Sequence, residues 1–402
     1  MSRASSAQDT SGAGATPPIA AGDPISDQAR PADRIVGLLD SGWNLLCSAS
    51  GSVVAVGLLL LVVLRSGVAL GRSDLHAVLV ITDEFPHPVL DWRSNSVLPY
   101  AVAHAIHVTE PWQWFLLHGA VTVAFVAVLA GSLRSRFPTP SARRMAAVWL
   151  AVGSLGPVLL QRIGSYDVYT ALGVVLIVWS RRSRLALVGG ILIGLTSAEQ
   201  GALGLLSAVA LVAVLGASEH GAASMVERLR TSPLARCLGL GLVGVVAARA
   251  LVLAWFAAQG AHVPSRGSMM GSLLGQSLRN AAGTGGAGIY AWFGLAWGVV
   301  LVGWLVCSWR PRVLAGVLAC LVLPAALATM TTIDGTRVFV MVSLPAFLVL
   351  LGWVIDRVES APRVDAQLVR RITIAVLVLA PIAPALIAEP SGSTYFVFPW
   401  AR

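Results

Sequence analysis

The chain contains no lysine. All 28 of its basic residues are arginine, set against 19 acids for a net charge of +9. Charge of either sign is scarce, at 12% of 402 residues, where soluble domains carry roughly 25%. Hydrophobic residues make up 56%, and the mean hydropathy is +0.78. That balance excludes an ordinary soluble domain and points to an integral membrane protein. Cysteine is also rare. Cys47, Cys237, Cys307 and Cys320 show no CxxC spacing and no nearby histidine, which excludes a disulfide framework or a zinc site of the usual kind. No HExxH, Walker A or GxSxG pattern is present. The excess of arginine does not imply nucleic acid as a partner. The arginines stand in short loops between apolar runs, where they orient membrane helices. Arginine without lysine, beside abundant Ala, Gly, Val and Leu, fits a GC-rich bacterial genome.

What is present is a long series of apolar runs. Residues 1–33 are rich in Ser, Ala, Gly, Pro and Asp and lack an apolar signal-peptide core, so a disordered cytoplasmic tail is expected. Within 34–47, Ile35, Leu38, Leu39 and Leu46 recur at helical spacing, which suits an amphipathic helix on the membrane surface. Runs of spanning length follow near 50–70, 112–132, 145–161, 167–180, 185–200, 201–216, 237–258, 288–307, 313–332, 337–355 and 372–388. The expected fold is all-α, a polytopic helical bundle of about eleven transmembrane helices. It occupies 34–389, with a long first outer loop at 71–111 and a short outer tail at 390–402.

Residues 185–216 decide the topology. If they form a tight pair of helices, nineteen arginines share the side of the N-terminus and seven the other. If they form one helix, the split is fourteen against twelve. Cytoplasmic loops collect arginine, so the pair is expected, turning at Ser197-Ala198-Glu199-Gln200-Gly201. The N-terminus then lies inside the bacterial cytoplasmic membrane and the C-terminus outside.

Two segments fit GxGxxG, GLGLVG at 239–244 and GTGGAG at 283–288. Neither follows a strand of a βαβ unit, so neither is a dinucleotide loop. The first lies inside an apolar run, where glycines permit close helix packing. His104 and His107 stand three apart and fit a solvated amphipathic helix at least as well as a metal site.

The acids are distributed unevenly. Arginine-based topology places Asp74, Asp83, Glu84, Asp91, Glu110, Asp167, Glu199 and Asp334 on the outer side. Asp167, Glu199 and Asp334 stand at the mouths of spans, as do Arg162 and Arg337. The densest stretch is ITDEFPHPVLDWR at 81–93, whose prolines oppose continuation of the first span. Each charge has a structural explanation: a helix-dipole partner for Asp167, a turn at Asp334-Gly335, a local Asp91–Arg93 pair. Together they describe an outward polar cleft of carboxylates and arginines. A carboxylate there can take a proton from a hydroxyl, and arginines can hold a phosphate.

This layout resembles the GT-C superfamily, polytopic membrane glycosyltransferases that use polyprenyl-phosphate sugars. The resemblance rests on GRSDLHAVL after the first span, TDEFPHP at 82–88, SNSVLPYAVAHAIHV at 94–108, RIGSYDVYTALG at 162–173 and LTSAEQGALG at 195–204. There is no clear DxD, and the large C-terminal outer domain of many members is missing. The resemblance implies inverting sugar transfer from a polyprenyl phosphate to an envelope acceptor. Asp74 would be base or metal ligand, with Asp83 and Glu84 next. Arg162, Asp167, Glu199, Asp334 and Arg337 would line the substrate site, and Mg²⁺ or Mn²⁺ would suit such carboxylates beside phosphate. The alternatives are a non-catalytic envelope-assembly protein and a lipid or polysaccharide transporter. A transporter needs polar groups at the bilayer midplane, for which the sequence offers Arg249 and Arg65.

Overall fold

A computed structural model describes residues 31–69, 75–220, 230–263, 274–275, 278–279, 288–329, 335–383, 385–388 and 394–396. The chain is helical along nearly all of these. Six helices are long and apolar enough to cross a membrane, or seven if the bent pair at the start counts as one span. The helices are α1 (Pro31–Ser48), α2 (Gly51–Ser66), α3 (Leu75–Glu84), α4 (Val97–Ala105), α5 (Pro111–Arg136), α6 (Pro140–Val152), α7 (Leu155–Leu160), α8 (Asp167–Trp179) and α9 (Ser183–His220). Then come α10 (Pro233–Ala258), α11 (Gly288–Cys307, with a 3-10 turn at Gly294–Trp297), α12 (Pro311–Thr329), α13 (Gly335–Ser360) and α14 (Arg363–Leu379).

Helix starts follow local chemistry. Thr139 and Ser232 cap α6 and α10, each accepting a backbone N–H, with proline in the first turn. Glu110 and Gln113 form a capping box on α5. At the C-terminal end the apolar run 372–388 stops early as a helix. Pro381 follows Leu379 and cannot extend the ladder, and Leu386–Ala388 instead pairs antiparallel with Thr394–Phe396.

The centre of the bundle is α13, of which the apolar window is 94% buried. Its neighbours expose apolar stripes: Val53, Val56, Leu60 and Leu64 on α2, Leu116 and Val123 on α5, Val243 and Val246 on α10. An apolar surface of this extent is unsuited to water and suits lipid.

The region 183–220 is traced as one helix, but Ser197 breaks it with φ −152° and ψ 53°. A straight helix of that length would be about 57 Å long, nearly twice the ~30 Å hydrocarbon core. The chain instead folds back. A methyl group placed on Gly201 would overlap Ile193 Cγ2, although residues eight apart stand about 12 Å apart in a straight helix. Two further contacts agree. The first arm runs parallel to α10, with Gly190 against Gly241 and Gly194 against Ala248. The second arm packs Gly204 on Val342 of α13 and Ser207 on the Cys320 carbonyl of α12. Two parallel helices need a return between them, and the second arm supplies it.

The contacts define two ends. At the basic end, Arg136 closing α5 meets Asp356 near the end of α13 through Nη1 (2.9 Å) and Nη2. Arg144 of α6 binds the carbonyls of Leu46 and Ala49. There α1 meets α2 at a bend of 117°. Ile35, Leu38 and Leu45 are exposed on it, the apolar stripe of a surface-lying helix, while Asp40 turns inward to Arg371 Nε (2.8 Å) and Nη2 (2.7 Å) of α14.

The Arg371 hydrogen bond, aided by its charge and by Gln367, holds the Asp40 carboxyl below its usual range despite some desolvation. A depressed carboxylate stabilises docking fully above the unfolded value near ~3.9 and loses that contribution as pH falls through the folded value beneath it. The expected outcome is α1 docked on α14 down to about pH 4 and loosening only in stronger acid. Asp40→Asn removes this step. A spin-label distance between α1 and α14, followed against pH, reads both.

Candidate functional site

The other end carries Asp83, Glu84, Asp91, Glu110, Asp167 and Glu199 among the described residues, with few arginines beside them. There α3, a 3-10 turn at Trp92–Asn95 and α4 cover the tops of α5, α9 and α10. Val78, Ile81, Tyr100, Ala103 and Trp114 form a small core of this layer. Phe85 stands 5.7 Å from the Trp255 ring of α10. Ser96 Oγ donates to the Thr196 carbonyl at 2.6 Å, and Thr196 faces Thr170 of α8 at 3.3 Å. The layer is tied down by hydrogen bonds between groups almost wholly removed from water, where an unmade bond would cost about 1–3 kcal/mol.

Within this end the structure brings Asp167 and Arg337 together. Asp167 opens α8 and Arg337 lies in the first turn of α13. Arg337 Nε is 3.6 Å from Asp167 Oδ2, with side-chain exposures of 13% and 3%. Ser165 Oγ donates to the same carboxylate oxygen at 2.6 Å. The guanidinium lies 5.6 Å from the Tyr166 ring centroid. The two charges differ in their helix context. A carboxylate at a helix N-terminus is favoured, whereas a cation there opposes the dipole by roughly 0.3–1 kcal/mol. Arg337 is therefore poorly placed for the stability of α13 alone. Asp167 offsets that cost, and the guanidinium, itself further engaged, keeps a small exposed fraction.

Arg162 belongs to the same turn, half-buried and itself engaged, and its carbonyl accepts from Ser165 N at 2.9 Å. Glu199, exposed at the tip of the α9 hairpin, joins a second constellation. Arg249 Nη2 is 3.4 Å from Glu199 Oε1, and Nη1 donates to Asn95 Oδ1 at 2.9 Å. Arg249 thus clamps the loop layer to the bundle at its acid-rich end and is not a midplane group.

Asp83 and Glu84 are not part of either constellation. They end α3 as exposed side chains. Their corner is held through Thr82, whose carbonyl meets His104 Nδ1 at 3.0 Å, while Ser96, before the opposite end of α4, touches α9. Residues 96–104 span about 12 Å of helix. Asp91 caps the 3-10 turn, accepting from Arg93 N (2.8 Å) and Nη1 (2.7 Å) two residues on. His107 lies beyond α4 with φ 55° and does not share a helix face with His104. Asp74 and Asp334 lie outside the described residues. Ala69 N donates to the Leu160 carbonyl at 3.1 Å.

Arg65, offered by the sequence as a charge within a span, has specific partners, and Gln161 and Trp114 escaped sequence reasoning. Arg65 is 1% exposed, with Nη1 donating to the Ala151 carbonyl at 3.2 Å and a further interaction with the Tyr290 hydroxyl. Gln161 Nε2 reaches the Ser66 carbonyl. Trp114 Nε1 donates to the Gly164 carbonyl at 2.9 Å, bracing the turn that presents Ser165 and Asp167. The available signal was Arg65 itself, a charge near the end of an apolar run.

Among the described residues no three His, Cys, Asp or Glu side chains gather as metal ligands. Asp74 and Asp334, two of the expected carboxylates, lie outside those residues. What the end of the bundle can do is hold an anion against Arg337 while Asp167, itself fixed by Ser165, positions the guanidinium. No family model, curated protein or solved structure matches the chain.

Proposed function

We propose that the chain is a GT-C-like membrane glycosyltransferase that moves a sugar from a polyprenyl-phosphate donor to a cell-envelope acceptor. The work is assigned to the acid-rich end, on the outer face of a bacterial cytoplasmic membrane. One observation carries this: a partly exposed arginine fixed against its own helix dipole by a buried carboxylate, at the mouth of an apolar bundle. A lipid phosphate can approach such a group with its tail still in the bilayer. Arg337, assisted by Arg162, would stabilise the phosphate as the bond to the sugar breaks. Asp167 is engaged and 3% exposed, so it positions Arg337 and is not the base. The base must be an accessible carboxylate that takes the proton of the acceptor hydroxyl. Asp74 is the first candidate, followed by Asp83 and Glu84.

The topology assigned to this enzyme has eleven passes, through α2, α5, α6 with α7, α8, both arms of α9, and α10 to α14. Its support is the alternation of helix directions and the reversal at Ser197. A cysteine-free background carrying single cysteines tests it. Gln200→Cys is expected to react with an impermeant thiol reagent from outside, and Ser183→Cys and Ser218→Cys only from inside. Labelling of all three from one side would remove the hairpin from the topology.

A second reading, a non-catalytic assembly protein, is favoured by the exposed position of Asp83 and Glu84 away from Arg337. Vesicles containing the purified chain and a labelled polyprenyl-phosphate sugar separate the two. Transfer to envelope acceptors that disappears in Asp74→Asn or in Asp83→Asn/Glu84→Gln supports catalysis. Absence of transfer together with normal envelope glycans in hosts carrying these variants supports assembly.

A further inference from the structure

The layer over the acid-rich end is joined to the bundle in two different ways. On the α5 side the joint is apolar. Tyr100 of α4 stacks on Trp114 of α5 with ring centroids 5.8 Å apart. Val78, Ile81, Ala103 and Val108 close around them as a cluster of their own, apart from the main core. Only residues 106–110 separate α4 from α5 along the chain. On the α9 and α10 side the joint is largely polar. Ser96 Oγ donates to the Thr196 carbonyl, and Arg249 reaches to Asn95 in the layer and to Glu199 at the hairpin tip. Phe85 meets Trp255 of α10, and half-buried Leu98 packs on the main core.

The two joints respond differently to water. Parting the buried Tyr100–Trp114 stack exposes aromatic surface, and water returns nothing for it. A polar contact that parts at an open end is exchanged for bonds to water, at little net cost. The Arg249–Glu199 pair spans 3.4 Å with Glu199 47% exposed, and exposed ion pairs contribute little. The α5 side is therefore a lasting joint, and the α9–α10 side is one that can part and close again.

We propose that residues 75–108 form a lid that hinges on α5, with Arg249 as its latch. The closed lid covers Thr196 and Thr170, each 1% exposed and facing one another at 3.3 Å. Thr170 lies three residues along α8 from Asp167. Lifting the α9–α10 edge thus opens a way between lid and bundle toward the Asp167–Arg337 pair. The arm of the lid is α4, whose residues 96–104 span about 12 Å, so a small rotation at its α5 end carries Ser96 clear of the Thr196 carbonyl. Arg249 stands on α10, outside the moving body, as a latch must. As a gate to the transfer site the lid rests on the transferase reading; as a moving part of the fold it does not, and its test reads no transfer.

The test uses the full-length chain in detergent, with Cys47, Cys237, Cys307 and Cys320 replaced by alanine and Thr196→Cys placed beneath the lid. Reaction with a water-soluble maleimide reads how often the lid is open. The parent is expected to label slowly, and Arg249→Gln to raise the rate about tenfold or more, the worth of a hydrogen bond to a charged group. Ser343→Cys, at a site 1% exposed on α13, reports loosening of the bundle itself and is expected to keep its rate. Asn95→Ala cuts the latch from the lid side, and it decides the matter if Arg249→Gln fails to fold. Labelling of Thr196→Cys that the deciding variant leaves unchanged overturns the proposal. So does a parallel rise at Ser343→Cys, which would assign Arg249 to the stability of the bundle alone. Faster labelling at Thr196→Cys alone, in a chain that transfers no sugar, would keep the lid and remove only the transferase reading.

Discussion

Gly190→Leu is expected to prevent assembly of the bundle, and Gly190→Ala to destabilise it by about 1–3 kcal/mol or more. The reason is a backbone contact. A methyl group on Gly190 would overlap the carbonyl oxygen of Gly241 and stand 2.9 Å from its carbonyl carbon and 3.0 Å from its Cα. No rotamer change relieves a clash with main chain, so α9 and α10 must separate. Gly194 is also close, with its added Cβ 2.7 Å from the Val245 carbonyl oxygen. This crossing holds the first arm of the hairpin, and separating it disturbs the Arg249 clamp on Glu199 and Asn95. The control lies in the facing glycine motif. Gly239→Ala meets nothing within 4 Å, so it gains helix propensity and is expected to be neutral or stabilising by up to ~1 kcal/mol. Melting followed by size-exclusion chromatography in detergent reads the contrast. If Gly190→Ala melts with the wild type, close backbone packing is not what holds this crossing.

The same motif shows what was legible in the sequence. GLGLVG at 239–244 is a packing device, as its position inside an apolar run implies. Which of its glycines matters was not legible. Gly241 and Gly244 face the first arm and α8, while Gly239 faces open space, and spacing alone cannot rank them. The reversal at Ser197 was legible through arginine placement, a signal that integrates over the whole chain. The run 145–161 is broken where Gly153 and Ser154 separate α6 from α7, and its local mark is the Gly-Ser-Leu-Gly-Pro stretch 153–157.

The candidate site was legible residue by residue and not as pairs. Asp167 and Arg337 stood out as charges at the mouths of apolar runs. Their meeting depends on α8 and α13 running parallel, which many long-range contacts set together. Acid density did not show which charges pair. Asp83 and Glu84 crowd one short stretch because α3 ends at an exposed corner, where charge costs little. Arg249 looked like a midplane charge because its span was apolar on both sides. The partners that place it at the bundle end, Asn95 and Glu199, come from two distant segments.

In the proposed transferase, Arg337→Ala is expected to lower sugar transfer by about 10²–10³-fold, the range for removing one fixed donor to a developing oxyanion. Arg337→Lys keeps the charge but lacks the planar fork and is expected to recover transfer only in part. The structural difficulty is that Arg337→Ala also leaves Asp167 buried without its cation, a loss of about 3–5 kcal/mol for a broken buried pair. Ser165 and the start of α8 still stabilise the carboxylate, so the lower part of that range applies. Activity lost through unfolding must be separated from activity lost through chemistry. The double variant Asp167→Asn/Arg337→Met does this. It removes both charges together, and an uncharged pair of similar volume is often neutral in stability. Melting is therefore expected to return toward wild type while transfer stays at the level of the single variant. If the double variant instead regains transfer along with its melting temperature, the Asp167–Arg337 pair serves folding alone, and the phosphate must be held by other residues at this end of the bundle.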